Sequence, residues 1–283
     1  MTYWMSILMG ILQGIAEFLP ISSSGHLALF QTFFGMENME EKYMFFTVLL
    51  HFGTLISVCM VYWRDIVDMI REFFLGIAAL AGRKDTGVAP PPARRMVMLI
   101  IIATVPLFVM VFLQDAVNQL FSNSIMVSCA LLATGFILFF SDRIARGHKT
   151  AKNATVADAL IVGCGQALAV IPGLSRSGTT ISVGMMRGFD RAFAVRFSFL
   201  MSLPAVLGAN VLEIKDALAS NFPIEELPMY LVGVAVSAVV GYFAIRLVKS
   251  LSDKGKFGKF AYYCWAVGLG SLVAGIVKMM LLK

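Results

Sequence analysis

Six windows of this chain, at about 44–62, 97–113, 124–141, 193–212, 227–247 and 260–282, are long, apolar and nearly free of charge. Each approaches the ~20 residues that a helix needs to cross ~30 Å of hydrocarbon. In lipid a backbone must satisfy its own hydrogen bonds, so such windows become helices. Composition agrees: 59% of the residues are hydrophobic and only 14% are charged, against roughly 25% charged in an ordinary soluble domain. The expected fold is an all-α polytopic membrane protein with six transmembrane helices, one membrane domain over 1–283. The first Lys or Arg is Lys42. The opening apolar stretch therefore lacks the basic start of a cleavable signal and is expected to stay in the mature protein. A net charge of +6 without a compact basic patch argues against nucleic acid as a partner. Cys59, Cys129, Cys164 and Cys264 stand alone in separate apolar segments and read as small buried hydrophobes.

Sorted by the loops these windows define, the segments 64–95, 143–155, 187–196 and 246–259 hold 18 of the 23 Lys and Arg residues. The alternate segments hold Lys42, Lys215, Lys278 and Lys283, and eight of the acids, Glu37, Glu40, Glu41, Asp115, Glu213, Asp216, Glu225 and Glu226. The positive-inside rule puts the first set in the cytoplasm and the second outside. Residues 66–82 are expected to lie along the cytoplasmic interface, and 83–95 to form a loop.

Two polar strings interrupt the apolar chain: Glu17-Phe-Leu-Pro-Ile-Ser-Ser-Ser-Gly-His26 and Pro172-Gly-Leu-Ser-Arg-Ser-Gly-Thr-Thr180. At an offset of 153, identities fall at Gly10/Gly163, Gln13/Gln166, Ala16/Ala169, Ser22/Ser175, Ser24/Ser177 and Gly25/Gly178, six of sixteen positions. Residues 1–43 begin and end outside, while 143–196 begin and end inside, so each string is expected at the tip of a re-entrant helical hairpin, 3–35 and 156–190. Three spans separate the hairpins, which inverts the second copy relative to the first: repeat 1 covers about 1–141 and repeat 2 about 156–283. Broken helices of such inverted repeats meet near the bilayer midplane. The competing reading makes 3–19 a full span, and its length alone permits that.

An Arg at membrane depth requires a countercharge or an anionic ligand, which makes Arg176 a functional candidate. Its planar fork suits phosphate, and Ser175, Ser177, Thr179 and Thr180 add hydroxyl donors. A helix starting after each Ser-Gly turn aims backbone amides at an anion, which brings in Ser22, Ser24, Gly25, Gly173 and Gly178. The bland reading pairs Arg176 with Glu17 structurally; both can hold without substrate. Glu17 lies one helical turn beyond Gln13 and is a candidate Mg²⁺ ligand, a general base, or a satisfied interhelical hydrogen-bond partner. His26 follows Ser23 by three positions, which places a base on the helix face of a serine nucleophile. His51 lies in an apolar span and reads as a packed core residue, and His148 as solvated.

With these residues in place, the chain resembles the integral-membrane undecaprenyl-diphosphate phosphatase family of bacteria, also tied to bacitracin resistance. Gln13-Gly-Ile-Ala-Glu17 fits its Glu/Gln-x-x-x-Glu motif, and the string from 172 to 180 fits Pro-Gly-x-Ser-Arg-Ser-x-x-Thr at every fixed position. The resemblance covers essentially the whole chain. It implies hydrolysis of undecaprenyl diphosphate to the monophosphate carrier of cell-wall synthesis, at a site open to the outer, periplasmic face of the cytoplasmic membrane. It implies Glu17, Ser23, His26 and Arg176 as the essential set, and a divalent cation, Mg²⁺ or Ca²⁺, held by Glu17 with Gln13. The expected partners are the polyprenyl diphosphate lipid and membrane lipids, with a homodimer compatible. Ser23, His26 and water remain open as the attacking group. The alternative function is a transporter or flippase for an anionic or lipid-phosphate substrate, the use to which inverted repeats are often put.

Overall fold

The computed structural model describes residues 1–34, 44–80, 90–121, 123–219 and 224–281. Among the described residues the chain is helical, and its sole β-type contact is an isolated bridge between Lys149 and Phe189. In chain order the α-helices are α1 Tyr3–Ala16, α2 Ser23–Phe34, α3 Met44–Val61, α4 Trp63–Leu80, α5 Pro92–Thr104, α6 Leu107–Val111, α7 Gln114–Phe121, α8 Ser124–Ile144, α9 Val156–Leu168, α10 Arg176–Met186, α11 Arg191–Ala219, α12 Leu227–Asp253 and α13 Phe260–Leu281.

Five spans are long and apolar enough to cross a membrane: Pro92–Val111, Ser124–Ile144, Arg191–Val211, Leu227–Asp253 and Phe257–Leu281. The sixth expected span is α3, which meets α4 at 88°. That angle sets α4 nearly perpendicular to α3, with Arg64, Asp68 and Arg71 exposed. The protein is therefore an all-α polytopic membrane protein. Several boundaries differ from the sequence reading. Residues 83–95 are not all loop, because Pro92 opens α5, a position where the missing N–H has no helical partner to lose. Pro106 interrupts the same span between α5 and α6. The expected outer segments 114–123 and 213–226 are partly helical, in α7 and in the end of α11. Cys129 and Cys164 are exposed rather than buried, which suits a thiol on a helix face turned toward lipid. Lys42, Glu37, Glu40, Glu41 and Lys283 lie outside the described residues.

The core lies where α3, α5 and α9–α12 meet, and Phe18 just beyond α1 inserts its ring edge-on against Phe199 of α11, centroids 5.5 Å apart. Helix pairings recur between the two halves of the chain. As α1 packs on α12, α9 packs on α5; as α12 packs on α3, α5 packs on α11; and α3 meets α11 as α8 meets α13. The matched glycines show why. A Cβ on Gly10 would lie 2.5 Å from the Gly233 carbonyl oxygen of α12, and one on Gly163 would lie 2.2 Å from that of Ala103 in α5. Each hairpin approaches its partner helix backbone to backbone.

The four Lys- and Arg-rich segments gather at one end of the molecule. Arg95 donates to the carbonyls of Ala151 and Ala154 at 3.0 and 2.8 Å, and Lys149 exchanges backbone bonds with Gly188 and Asp190. Arg191 ion-pairs with Asp142, whose other oxygen accepts from Gly258 N at 2.9 Å, and Arg196 ion-pairs with Asp65. At the same end Asp158, fully buried, accepts from Lys149 at 2.8 Å and from Arg187 at 3.0 Å. Burial works to raise the pKa of this carboxyl. The hydrogen bonds from Lys149, Thr155 and Arg187 win and hold it well below the usual carboxylate range. The start of α9 is thereby tied to the end of α10.

Candidate functional site

The α1–α2 and α9–α10 pairs are helix–turn–helix hairpins, and their tips touch. A Cβ on Gly25 would stand 2.7 Å from Gly173 Cα, and one on Gly178 would stand 3.1 Å from Pro20 Cβ. Positions 20 and 173 correspond under the repeat, as do 25 and 178, so the tips cross with a two-fold relation. Ser177 Oγ donates to the Leu19 carbonyl at 3.3 Å, and Cys264 Sγ donates to that of Pro20 at 3.5 Å. The first bond holds one tip against the other, and the second ties the first tip to α13.

Both tips start their second helix with the same cap. Ser22 Oγ accepts from Gly25 N at 3.2 Å, and Ser175 Oγ accepts from Gly178 N at 3.1 Å. The next serines repeat the pattern: Ser24 and Ser177 stand 3.5 and 3.3 Å from their own cap hydroxyls. A serine cap satisfies one orphan amide and leaves the neighbouring N–H groups of the first turn pointing outward. Ser22 differs in one respect. Its φ is +66°, the left-handed region, whereas Ser175 sits at φ −78°. A non-glycine residue there stores strain of about 1–3 kcal/mol, a recurrent mark of functional turns. The second tip is braced instead by Thr134 of α8, whose hydroxyl donates to Gly173 O at 2.9 Å and accepts from Ser175 N at 3.2 Å.

Between the tips lies a cavity of about 60 Å³ walled by Glu17, Ser22, Ser23, Ser24, Ser175 and Arg176, with Ala16, Ala169 and Leu174 closing it. Arg176 ion-pairs across it with Glu17, whose other oxygen accepts from Gln13 Nε2 at 3.1 Å. The Glu17 side chain is 8% exposed and that of Arg176 23%. Each charge is thus satisfied by the other where lipid or protein could satisfy neither. The expected Glu17–Arg176 pair is present, and the guanidinium still faces the cavity. The Ser23 hydroxyl, beside it, makes no hydrogen bond among the described residues.

Other expected residues lie elsewhere. His26 does not line the cavity. Its Nδ1 stands 2.8 Å from Ser22 O, its Nε2 stands 2.9 Å from Tyr263 OH, and its ring stacks on Tyr263 at 5.5 Å. A carbonyl only accepts, so Nδ1 is the donor in the contact with Ser22 O. Thr180 is turned away, donating to Arg176 O at 2.8 Å and contacting Ser198, and Thr179 Oγ1 is buried without a hydrogen-bond partner among the described residues. His51 is half-buried rather than a sealed core residue and has polar neighbours. Its Nδ1 stands 2.9 Å from Thr47 O, and it lies within electrostatic reach of Glu17. Sequence reasoning missed Thr134 and Tyr263. Each lies in a spanning helix far along the chain, and no local pattern marks either one. Among the described residues no cluster of three His, Cys, Asp or Glu side chains forms a protein-only metal cage.

Fold and site together define a class: a polytopic helical membrane protein with a charged, hydroxyl-lined centre buried where two hairpin tips meet. The family description "Bacitracin resistance protein BacA" matches residues 6–270. The chain is 42% identical over 269 residues to the protein named undecaprenyl-diphosphatase of Alkaliphilus metalliredigens, covering 95% of this chain and 97% of the relative. Relatives of the same name from Methanosphaera stadtmanae and Halothermothrix orenii are 38% and 40% identical, covering 96% and 95% of this chain and 98% and 97% of their own lengths. The chain belongs to the bacitracin resistance protein BacA family.

Proposed function

We infer that the protein is an undecaprenyl-diphosphate phosphatase. It hydrolyses undecaprenyl diphosphate to undecaprenyl phosphate and inorganic phosphate, the step that returns the lipid carrier to peptidoglycan and other cell-wall polymer synthesis. One observation carries the reading from the structure: an arginine and a carboxylate from opposite hairpins share a cavity whose remaining polar wall is serine hydroxyls beside two helix N-termini. That surface suits a diphosphate, which needs cationic and N–H donors together. The transport alternative is not favoured, since all three relatives above are named for hydrolysis.

In the proposed mechanism the diphosphate enters beside Arg176 and takes a share of its guanidinium from Glu17, with the first-turn amides of α2 and α10 and the hydroxyls of Ser175 and Ser177 completing the cradle. Phosphoryl transfer depends mainly on such positioning and charge stabilisation. Ser23 Oγ forms the new P–O bond to the terminal phosphorus as the bond to the bridging oxygen breaks, and the lipid monophosphate leaves with the electron pair. The serine proton passes to His26, which must swing from Tyr263 or relay through it. Water then releases inorganic phosphate from Ser23. Attack by His26 or directly by water fits the same cradle. The donor set of Glu17 and the adjoining Gln13, whose amide flip presents oxygen, suits a hard divalent cation, Mg²⁺ or Ca²⁺, completed by substrate oxygens. Such an ion supplies charge neutralisation at the diphosphate.

The hairpins are proposed to be re-entrant and the halves, about 1–141 and 156–283, to be inverted repeats. Three features support this: α9 and α10 at about 20 and 17 Å are shorter than the hydrocarbon core, the pair as a whole begins and ends at the basic end of the molecule, where Asp158 meets Arg187, and the helix pairings exchange between halves. The proposed location is the bacterial cytoplasmic membrane with the cavity opening to its outer face. No contact among the described residues bears on a homodimer, and the mass of the detergent-solubilised protein decides it. The deciding experiment measures phosphate release from undecaprenyl diphosphate by purified Ser23→Ala, His26→Ala and Arg176→Ala proteins, with trapping of a labelled phosphoenzyme. Label on Ser23 supports the scheme, label on His26 or on neither reassigns the attack, and full activity in all three variants overturns the enzyme reading.

A further inference from the structure

A second and larger cavity, of about 490 Å³, lies in the corner where α3 bends into α4. Its walls include Met60 and Val61 from the end of α3, Tyr242, Arg246 and Lys249 from α12, and Lys254 just past the end of α12. Tyr242, Arg246 and Lys249 recur at intervals of four and three, one stripe of a helix aimed at the corner, and Lys254 caps that helix's end. Three cations thus face one hollow. Asp253 is the carboxylate on the same wall, and Asp65 nearby attracts Lys249 but is ion-paired to Arg196. Among the described residues Arg246, Lys249 and Lys254 form no ion pair of their own. Arg246 instead donates to Tyr242 OH at 3.2 Å and lies over that ring at 5.5 Å, which fixes the direction of its fork.

The mouth of the hollow continues onto an apolar face. Met60, Phe243 and Leu247 are 53%, 62% and 47% exposed around it, and Trp63 at the bend is 63% exposed. An exposed tryptophan next to Lys and Arg, at the end of a spanning helix, marks the depth of the lipid headgroups. This is the end where the Lys- and Arg-rich segments gather. Basic hollows between helices at that level are suited to anionic lipid heads, while the aliphatic surface below accepts an acyl chain.

We propose that this corner binds the phosphodiester headgroup of an anionic membrane phospholipid, its phosphate on Arg246, Lys249 and Lys254 and an acyl chain lying over Met60 and Leu247. The charge excess selects the ligand: three cations against one free carboxylate favour an anion, and an open, lipid-facing mouth favours one that arrives laterally from the bilayer. The site is separate from the cavity between the hairpin tips, and none of its residues takes part in the proposed hydrolysis.

Native mass spectrometry of the full-length protein, with phosphatidylglycerol and phosphatidylcholine of identical chains as probes, tests it. Wild type is expected to retain phosphatidylglycerol at least about tenfold more strongly. The triple variant Arg246→Gln, Lys249→Gln, Lys254→Gln is expected to lose that preference while keeping phosphate release in phosphatidylcholine nanodiscs, and Asp253→Asn is expected to strengthen retention. Retained activity separates the fate of this site from that of the phosphatase reading. If the triple variant fails to fold, the Asp253→Asn shift alone decides. Equal retention of the two lipids by wild type, an unchanged preference in the triple variant, no gain in Asp253→Asn, or displacement of phosphatidylglycerol by millimolar inorganic phosphate would each overturn the proposal; the last would leave a free-phosphate site.

Discussion

The two hairpin tips share one backbone design and present different side chains. Both cap their second helix with a serine, both press a glycine against the other tip, and both bring an alanine, Ala16 or Ala169, to the cavity wall. They diverge at the positions to which the proposed mechanism gives roles. Glu17 corresponds to Val170, Ser23 to Arg176, and His26 to Thr179. Ser23 and Arg176 are each the first residue of their helix, so matching positions of the two tips set a hydroxyl opposite a guanidinium. The second tip is buried and braced by Thr134, with Ser175, Ser177, Thr179 and Thr180 all at most 4% exposed. The first is looser: Ser23, Ser24 and His26 are half-buried, and Ser22 holds a strained backbone. The proposed mechanism uses this difference: transition-state stabilisation requires preorganised donors, which the rigid half supplies, while the attacking group must reach substrate from the accessible half.

The comparison breaks first at Ser23. Ser23→Ala removes no hydrogen bond, so the protein should fold and melt as wild type while phosphate release falls on the order of 10³-fold; a small loss of rate shifts the attack to His26 or water. On the other half, Arg176→Lys keeps the charge but not the planar fork. Release should drop by on the order of 10²-fold, with unchanged kinetics showing that the guanidinium acts only as a countercharge.

Stability separates the tips next. Gly173 has φ +98°, and a Cβ there would lie 2.4 Å from Val127 O. Gly173→Ala should therefore lower stability by ~3 kcal/mol or more, read as a melting shift in detergent. Smaller and more telling is one substitution made at both caps. Ser175→Gly should destabilise by a few tenths of a kcal/mol, the loss of a cap. Ser22→Gly relieves a left-handed backbone worth ~1 kcal/mol or more and should stabilise. Equal signs would mean that Ser22 is not strained. Finally, the tie at Asp158 belongs to the second hairpin. Its folded-state pKa is depressed, so its contribution is complete above the ordinary aspartate pKa of ~3.9 and is lost as the pH falls below it. Melting temperature should fall more between pH 5 and pH 3 in wild type than in Asp158→Asn.

Much of this was legible without coordinates. Hydropathy located every spanning helix because length and charge-poverty are local properties. It blurred the ends, as at Pro92 and Ala219, where the chain stays helical beyond the apolar stretch. The repeat located both tips. Equating an apolar surrounding with burial misled at Cys129 and Cys164, since helix faces toward lipid are as apolar as the core.

By itself, then, the sequence determined the helical class, the segments that cross, the basic end and the two polar strings, since each follows from composition or spacing within a few turns of chain. Only the tertiary structure decided who meets whom: Arg176 with Glu17 across 159 positions, His26 with Tyr263 across 237, and Thr134 with the turn at Gly173. Such contacts depend on how helices cross and rotate against one another. Those angles are set by packing along whole faces, such as the close approaches at Gly10 and Gly163, and not by the residues that finally touch.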